Sequence, residues 1–280
     1  MSKFIISGFS DEIDPSIDVQ FETIKSLGIN HFEVRGVNGK NISELSDAEV
    51  DELVAKMKYY GTAVSSVGSP IGKISICDPF DSHFALFKRV VDIAKRLGTK
   101  DIRIFSFYIP NTAKYEDCRG EVLERLSAMK EYAVQSGVIL LHENEKGIYG
   151  DNAPRCLEIA KQLCGDNFSL VFDPANFVQC GVDTKEAFGL LKNYVSYVHI
   201  KDAAKDGTVV PAGQGIGNVE YILKQLKYGG YNGFLSLEPH LGSFGGFAKL
   251  ENGDNKFAEE SDAGKFETAY NALKNILERI

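Results

Sequence analysis

The sequence predicts an α/β fold, a (βα)8 barrel built as a single domain over residues 1–280. Three observations predict it. Short β-branched or apolar runs alternate with amphipathic segments from one end to the other, the pattern of repeated βα units around a parallel sheet. The candidate strands number eight, the count that closes such a barrel. A length of 280 residues suits one barrel, since these folds run to about 250 residues as a single unit.

In chain order the strands are KFIISGF (3–9), HFEVR (31–35), TAVSSVG (62–68), DIRIFSF (101–107), VILLHE (138–143), FSLVFD (168–173), SYVHIK (196–201) and GFLSLE (233–238). Helical spacing fills the intervals at 16–28, 46–61, 81–98, 115–137, 152–165, 184–194, 218–230 and 262–280. In the third of these, Phe84, Phe87, Val91, Ala94 and Leu97 recur every three or four positions and make one apolar stripe to pack on the sheet. Gly28, Gly61, Gly98, Gly137 and Gly165 close five of these segments, as left-handed residues ending a helix. No G-x-G-x-x-G follows the first strand, so nothing supports a dinucleotide site. The stretch 242–264 is Gly-rich, charged and too long for an ordinary connection; a substrate lid and a solvated insertion are both open readings.

Composition narrows the function classes. Hydrophobic residues make up 44% and charged residues 25%, so a sizeable core is expected and disorder is not. A formal net charge of −8 and a pI near 5.3 argue against a phosphate-neutralising surface, hence against a nucleic-acid partner. The first apolar run is short and broken by Gly8, which suits neither a signal peptide nor a spanning helix; a cytoplasmic protein with no membrane partner is expected. The five cysteines are scattered without a C-x-x-C pair, which points to reduced thiols. A small-molecule ligand is the expected partner, and a homo-oligomer is left open.

In such a barrel the chemistry sits where strands end at their C-terminal side. Four strands of the second half end in a polar residue after an apolar run: Glu143, Asp173, His199 and Glu238. A carboxylate closing an apolar strand needs a partner or a cation. Three carboxylates and an imidazole converging on one mouth suit one divalent ion, Mn2+, Mg2+, Co2+ or Zn2+, and the lack of a thiolate argues against structural zinc. With the ion the set would carry a formal −1, receptive to a neutral hydroxyl-bearing ligand. Taken singly, Asp173 reads as a helix cap and His199 as a core histidine; the set of four outweighs those readings. Strand parity points Glu143 inward with Ile139 and Leu141, and turns His142 to the helices as a supporting residue. Glu145 reads as a solvated loop carboxylate. Lys201 shares the parity of His199 and would bind a hydroxyl, carbonyl oxygen or phosphate, with a solvated lysine equally open. Glu33 and Arg35 share parity and would either touch ligand hydroxyls or pair with each other; Arg103 and His240 are further candidates at the mouth.

At these residues the sequence resembles the xylose-isomerase-like TIM barrel superfamily of sugar and sugar-phosphate isomerases and epimerases. The resemblance spans most of the chain, from ISGFSDEI through HFEVRG and AKRLGTKDIRIF to VHIKDA and GQGIGNVEYILKQLKYGGYNGFLSLEP. It implies a divalent metal on Glu143, Asp173, His199 and Glu238, with Glu143 and Glu238 also the acid/base pair of a ketose 3-epimerase. One would remove the proton α to the carbonyl, a metal-stabilised enediolate would form, and the other would return a proton to the opposite face. Aldose–ketose isomerisation would use the same enediolate. The expected substrate is thus a sugar or sugar phosphate. The HENEKGIYGD segment lacks the Arg-Phe-Glu element that follows the fifth strand in ketose 3-epimerases, and inosose dehydratases resemble the chain about as well. Two other classes share the barrel: an endonuclease IV-like repair enzyme, disfavoured by only five histidines and the acidic balance, and a non-catalytic sugar-binding barrel, disfavoured by the intact ligand set.

Overall fold

Each apolar run is short and rich in β-branched residues, so it is stable only where neighbouring strands accept its backbone hydrogen bonds. The computed structural model describes residues 3–243 and 260–280. It shows eight parallel strands: β1 (Lys3–Gly8), β2 (His31–Val34), β3 (Ala63–Gly68), β4 (Asp101–Ile104), β5 (Ile139–Glu143), β6 (Phe168–Phe172), β7 (Val195–Ile200) and β8 (Asn232–Leu237). They pair in the order β1-β8-β7-β6-β5-β4-β3-β2, so neighbours in sequence are neighbours in space. β1 joins β8 in register from Lys3 with Asn232 to Gly8 with Leu237. β2 packs beside β1 without a ladder, which leaves the barrel nearly closed.

Helices α1 (Ile17–Ser26), α2 (Asp47–Tyr60), α3 (Phe80–Arg96), α4 (Tyr115–Ser136), α5 (Ala153–Leu163), α6 (Pro174–Gln179), α7 (Thr184–Leu191), α8 (Val219–Tyr228) and α9 (Ala263–Leu277) lie between or after the strands. The predicted stripe of α3 faces inward, with Phe87, Val91 and Ala94 fully buried. Gly28, Gly61, Gly98 and Gly137 have positive φ, as expected at helix ends. Gly165 does not. α5 stops at Leu163 with Cys164 extended, and Gly165 closes a tight turn by exchanging backbone hydrogen bonds with Phe168 at 2.9 and 3.2 Å.

Alternation along the strands makes two cores. Outward residues such as Phe32, Ile102, Leu140, Phe172, Val198 and Leu235 meet the helices. Inward, Leu141, Val171 and Tyr197 pack with Ile139 and Phe234. The barrel interior is less apolar than the strand sequences suggest, because serines share it: Ser7 and Ser65 lie 2.5 Å apart, and Ser65 is 2.9 Å from the Tyr197 hydroxyl. These small side chains leave room for Tyr197 and satisfy its hydroxyl in a place water does not reach.

Two loops shape the mouth, the first because a strand ends earlier than its sequence suggests. The fourth strand pairs only to Ile104; beyond it Phe105 and Phe107 donate to the carbonyls of Ile71 and Gly72 at 2.8 and 3.0 Å. Gly72 has φ +88, and a Cβ there would lie 2.1 Å from the Phe105 carbonyl oxygen, so only glycine allows this approach. After β7, the Asp202 carboxylate accepts the backbone N–H groups of Ala203, Gly213, Gly215 and Gly217 at 2.8–3.0 Å and ties down the loop AGQGIGN. Of the irregular segment 242–264, residues 244–259 lie outside the described residues, and with them the lid reading.

Candidate metal centre and active site

The strand ends bring the four residues chosen from the sequence together. Each of Glu143, Asp173, His199 and Glu238 offers one ligand atom, these atoms lie within 4.8 Å of one another, and all four residues are buried. His199 is central: its Nδ1 stands 2.9 Å from Glu143 Oε1, 3.4 Å from Glu238 Oε2 and 3.8 Å from Asp173 Oδ2. Its Nε2 points the other way, 3.1 Å from Glu33 Oε2. Asp173 fills both roles its position suggests. Its Oδ1 accepts the Asn176 N–H and caps α6, which frees Oδ2 to face the cluster, where no well-aligned hydrogen bond reaches it. Asn144 locks that turn, donating to the Asp173 carbonyl at 2.9 Å and accepting the Asp173 N–H at 3.0 Å.

Glu33 and Arg35 both point inward, but they do not pair with each other. Glu33 lies beneath His199, where it also accepts the Ser236 hydroxyl at 2.7 Å. Arg35 holds Asp11 through Nε and Nη2 at 2.8 and 3.0 Å, Glu12 at 3.1 Å and Glu238 at 3.4 Å. Arg103 donates to Glu143 Oε2 at 2.7 Å. Lys201 is not a solvated lysine: it is buried, 2.8 Å from Glu238 Oε2 and 3.1 Å from Asp173 Oδ2. His240 has φ +44, an uncommon backbone for a residue other than glycine, and its Nε2 lies 3.4 Å from Glu238 Oε1 and 3.5 Å from Glu12 Oε1.

His142 turns outward as its parity requires, with its ring stacked on Phe168 and covered by Gly150; its nitrogens have no hydrogen-bond partner among the described residues. Glu145 departs from the expectation of a solvated carboxylate. It pairs with Lys73 at 3.0 Å and joins the loop after β5 to the loop after β3. Periodicity could not show Asp11, Glu12, Lys73, Asn144 or Asn176 as site residues, since all five stand beyond strand ends. The SDEID run after the first strand was the available signal for Asp11 and Glu12.

The electrostatics follow from burying this many charges together. Burial alone would raise the pKa of Glu143, but the charges of His199 and Arg103 hold it at about 2. Glu238 is likewise opposed by burial, yet Lys201, His240 and His199 keep it well below the ordinary carboxylate range. For Asp173 burial wins over Lys201 and raises the pKa to about 7. Burial disfavours the charged forms of His199 and Lys201, but the surrounding carboxylates lift both well above their ordinary values. Burial raises Glu12 to about 8 despite Arg35. The cluster is an excess of carboxylate held in place by cations, and it fits a divalent ion: three oxygens and one nitrogen converge, Asp173 Oδ2 is directed at the others, and Glu33 fixes the far nitrogen of the imidazole.

The family model described as "Xylose isomerase-like TIM barrel" matches residues 21–263. The chain belongs to that family. Among solved structures, a D-tagatose 3-epimerase-like protein superposes with a TM-score of 0.76 at 19% identity, covering 98% of this chain and 97% of the other. The IolI protein with a bound zinc atom superposes at 0.76 and 17% identity, covering 98% of each chain. A xylose isomerase-like TIM barrel protein from Mycobacterium smegmatis in complex with magnesium gives 0.70 and 19% identity, covering 98% and 96%. No curated protein sequence matches the chain. At these identities the superpositions establish the barrel fold. None of the described helices is long and apolar enough to cross a membrane.

Proposed function

We propose that the protein is a divalent-metal-dependent isomerase or epimerase of a sugar or related polyol ketone, working by removal of a proton α to a carbonyl. The observation that carries this reading is the buried set Glu143, Asp173, His199 and Glu238, two of whose carboxylates are held ionised at one mouth. Solved neighbours that hold zinc and magnesium support a divalent ion on this set, for which Mn2+, Mg2+, Co2+ and Zn2+ are the candidates. When bound, it supplies Lewis-acid polarisation of a carbonyl oxygen.

The protein's own groups do the rest. Glu143, ionised and steadied by Arg103, is the base that takes the α-proton. Glu238 is the partner group that returns a proton to the opposite face; its Oε2 lies 2.8 Å from the Lys201 ammonium, and His240 links it to Glu12 on the other side. Glu33 holds the His199 ring by its far nitrogen. Reprotonation at the same carbon gives the epimer, at the neighbouring carbon the isomer; loss of water instead would make the protein a dehydratase.

The test is turnover of ketoses, aldoses, their phosphates and inososes with each of the four ions, in the wild type, Glu143→Gln and Glu238→Gln. An isomer or epimer product is expected, with turnover in both variants lowered by about 10³-fold. Full turnover in both variants would refute the acid/base assignment, and a dehydrated product alone would move the protein to the dehydratase reading.

A further inference from the structure

Two arginines enter the mouth, one from the end of β2 and one from β4, and they are satisfied very differently. Arg35 spends its side-on edge, Nε and Nη2, on the two oxygens of Asp11 at 2.8 and 3.0 Å. Arg103 uses only Nη1, on Glu143 Oε2. Its Nε and Nη2, the same edge that Arg35 fills, have no hydrogen-bond partner among the described residues, although Arg103 is only 3% exposed. A buried guanidinium with two coplanar donors unmet is costly, and a native structure keeps one where something else completes it.

The guanidinium stands beside the metal set, with Nη1 on Glu143. The Arg103 guanidinium lies 4.4 Å from the Phe105 ring centroid and 5.5 Å from that of Phe9, so aromatic faces fix its plane while leaving its in-plane donors unused. Phe105 stands beyond the end of β4, which puts the guanidinium level with the metal set rather than beneath it. Lys73 adds a second positive charge over the same ring at 4.4 Å, tethered to Glu145. The other cations of the mouth, Arg35 and Lys201, already face carboxylates of the site.

We propose that the substrate is a polyol ketone bearing a carboxylate, and that Arg103 grips this carboxylate through Nε and Nη2. The proposal rests on the polyol-ketone reading of the site and names the substrate class within it. Two parallel donors in a plane match the two oxygens of a carboxylate with a single negative charge. A phosphate brings three terminal oxygens and up to two charges, more than the pair of parallel N–H groups on this one edge can match.

The test compares three ketoses of one skeleton, fructose, fructuronate and fructose 6-phosphate, by calorimetric titration into the Mn2+-loaded wild type and Arg103→Lys, with Mn2+ affinity measured on the same samples. Lysine keeps a cation beside Glu143 but lacks the fork. Fructuronate is expected to bind the wild type at least about tenfold more tightly than fructose, and most of that preference should vanish in Arg103→Lys. Equal binding of fructuronate and fructose, a preference for the phosphate alone, or a carboxylate preference undiminished in Arg103→Lys would each overturn the proposal. The wild-type comparison decides by itself if the variant does not fold. Failure of the underlying enzyme reading has a different signature: no Mn2+ bound, or no α-proton exchange with any ketose.

Discussion

The two halves of the barrel mouth are built on opposite principles. Strands β5–β8 end in the acidic set Glu143, Asp173, His199 and Glu238, one residue per strand, aimed at a common point. Strands β1–β4 and their loops bring arginines, a lysine and the rings of Phe9 and Phe105, with Arg35 and Arg103 reaching across to Glu238 and Glu143. Neither half is tolerable alone, because burying several like charges costs far more than burying them interleaved with the opposite charge. The second half concentrates charge for an ion and holds part of it ionised through His199 and Lys201, whereas the first half adds Arg35 and Arg103 to that charge and retains an unfilled donor edge for a ligand.

Breaking the acidic half should have the largest effect. His199→Ala and Asp173→Asn are expected to abolish stoichiometric metal binding, read as bound metal per chain after dialysis; a variant that keeps one ion per chain would show that the set is not the site. Next comes the Asp202 clasp of the loop after β7. Asp202→Asn swaps one acceptor oxygen for a donor facing backbone N–H groups, and should cost about 3 kcal/mol, seen as a thermal midpoint lower by about 6 °C.

Smaller effects sharpen the comparison by touching one half through the other. Glu33→Gln, on β2, should weaken metal binding by about 10–100-fold in a competition titration, because the carboxylate that orients the far side of His199 is lost; unchanged affinity would leave Glu33 a packing residue. The smallest expected effect concerns His142, which faces away from both halves. Burial depresses its pKa from 6.5 to about 4, so the native state keeps it neutral while the unfolded chain takes up a proton below 6.5. Its contribution is therefore present above pH 6.5 and lost as pH falls through the window toward 4, about 2 kcal/mol by pH 5. Urea unfolding at pH 7.5 and pH 5 should show a shallower loss in His142→Leu than in the wild type, and identical losses would contradict the assignment.

The acidic half was legible in the sequence, and the cationic half only in part. Glu143, Asp173, His199 and Glu238 each close an apolar strand, where a period of two fixes which way they point. Arg35, Arg103 and Lys201 carried the same parity signal, but their partners did not. Asp11, Glu12, Lys73 and Asn176 lie in loops or in the first turn of a short helix, and their positions depend on contacts such as the approach of Gly72 to the Phe105 carbonyl, which no local pattern encodes. The same limit explains Glu145, whose ion pair with Lys73 spans two loops, and Gly165, where a turn closed onto Phe168 replaced the expected helix ending.

The most direct test of the account is solvent exchange at the substrate α-carbon. Ketoses and keto acids incubated in D2O with Mn2+-loaded wild type should gain deuterium at that carbon, and the metal-stripped protein and Glu143→Gln should show at most about a thousandth of that rate. Metal-loaded wild type that binds these compounds yet never exchanges the proton would contradict the account, leaving a barrel that binds sugars without acting on them.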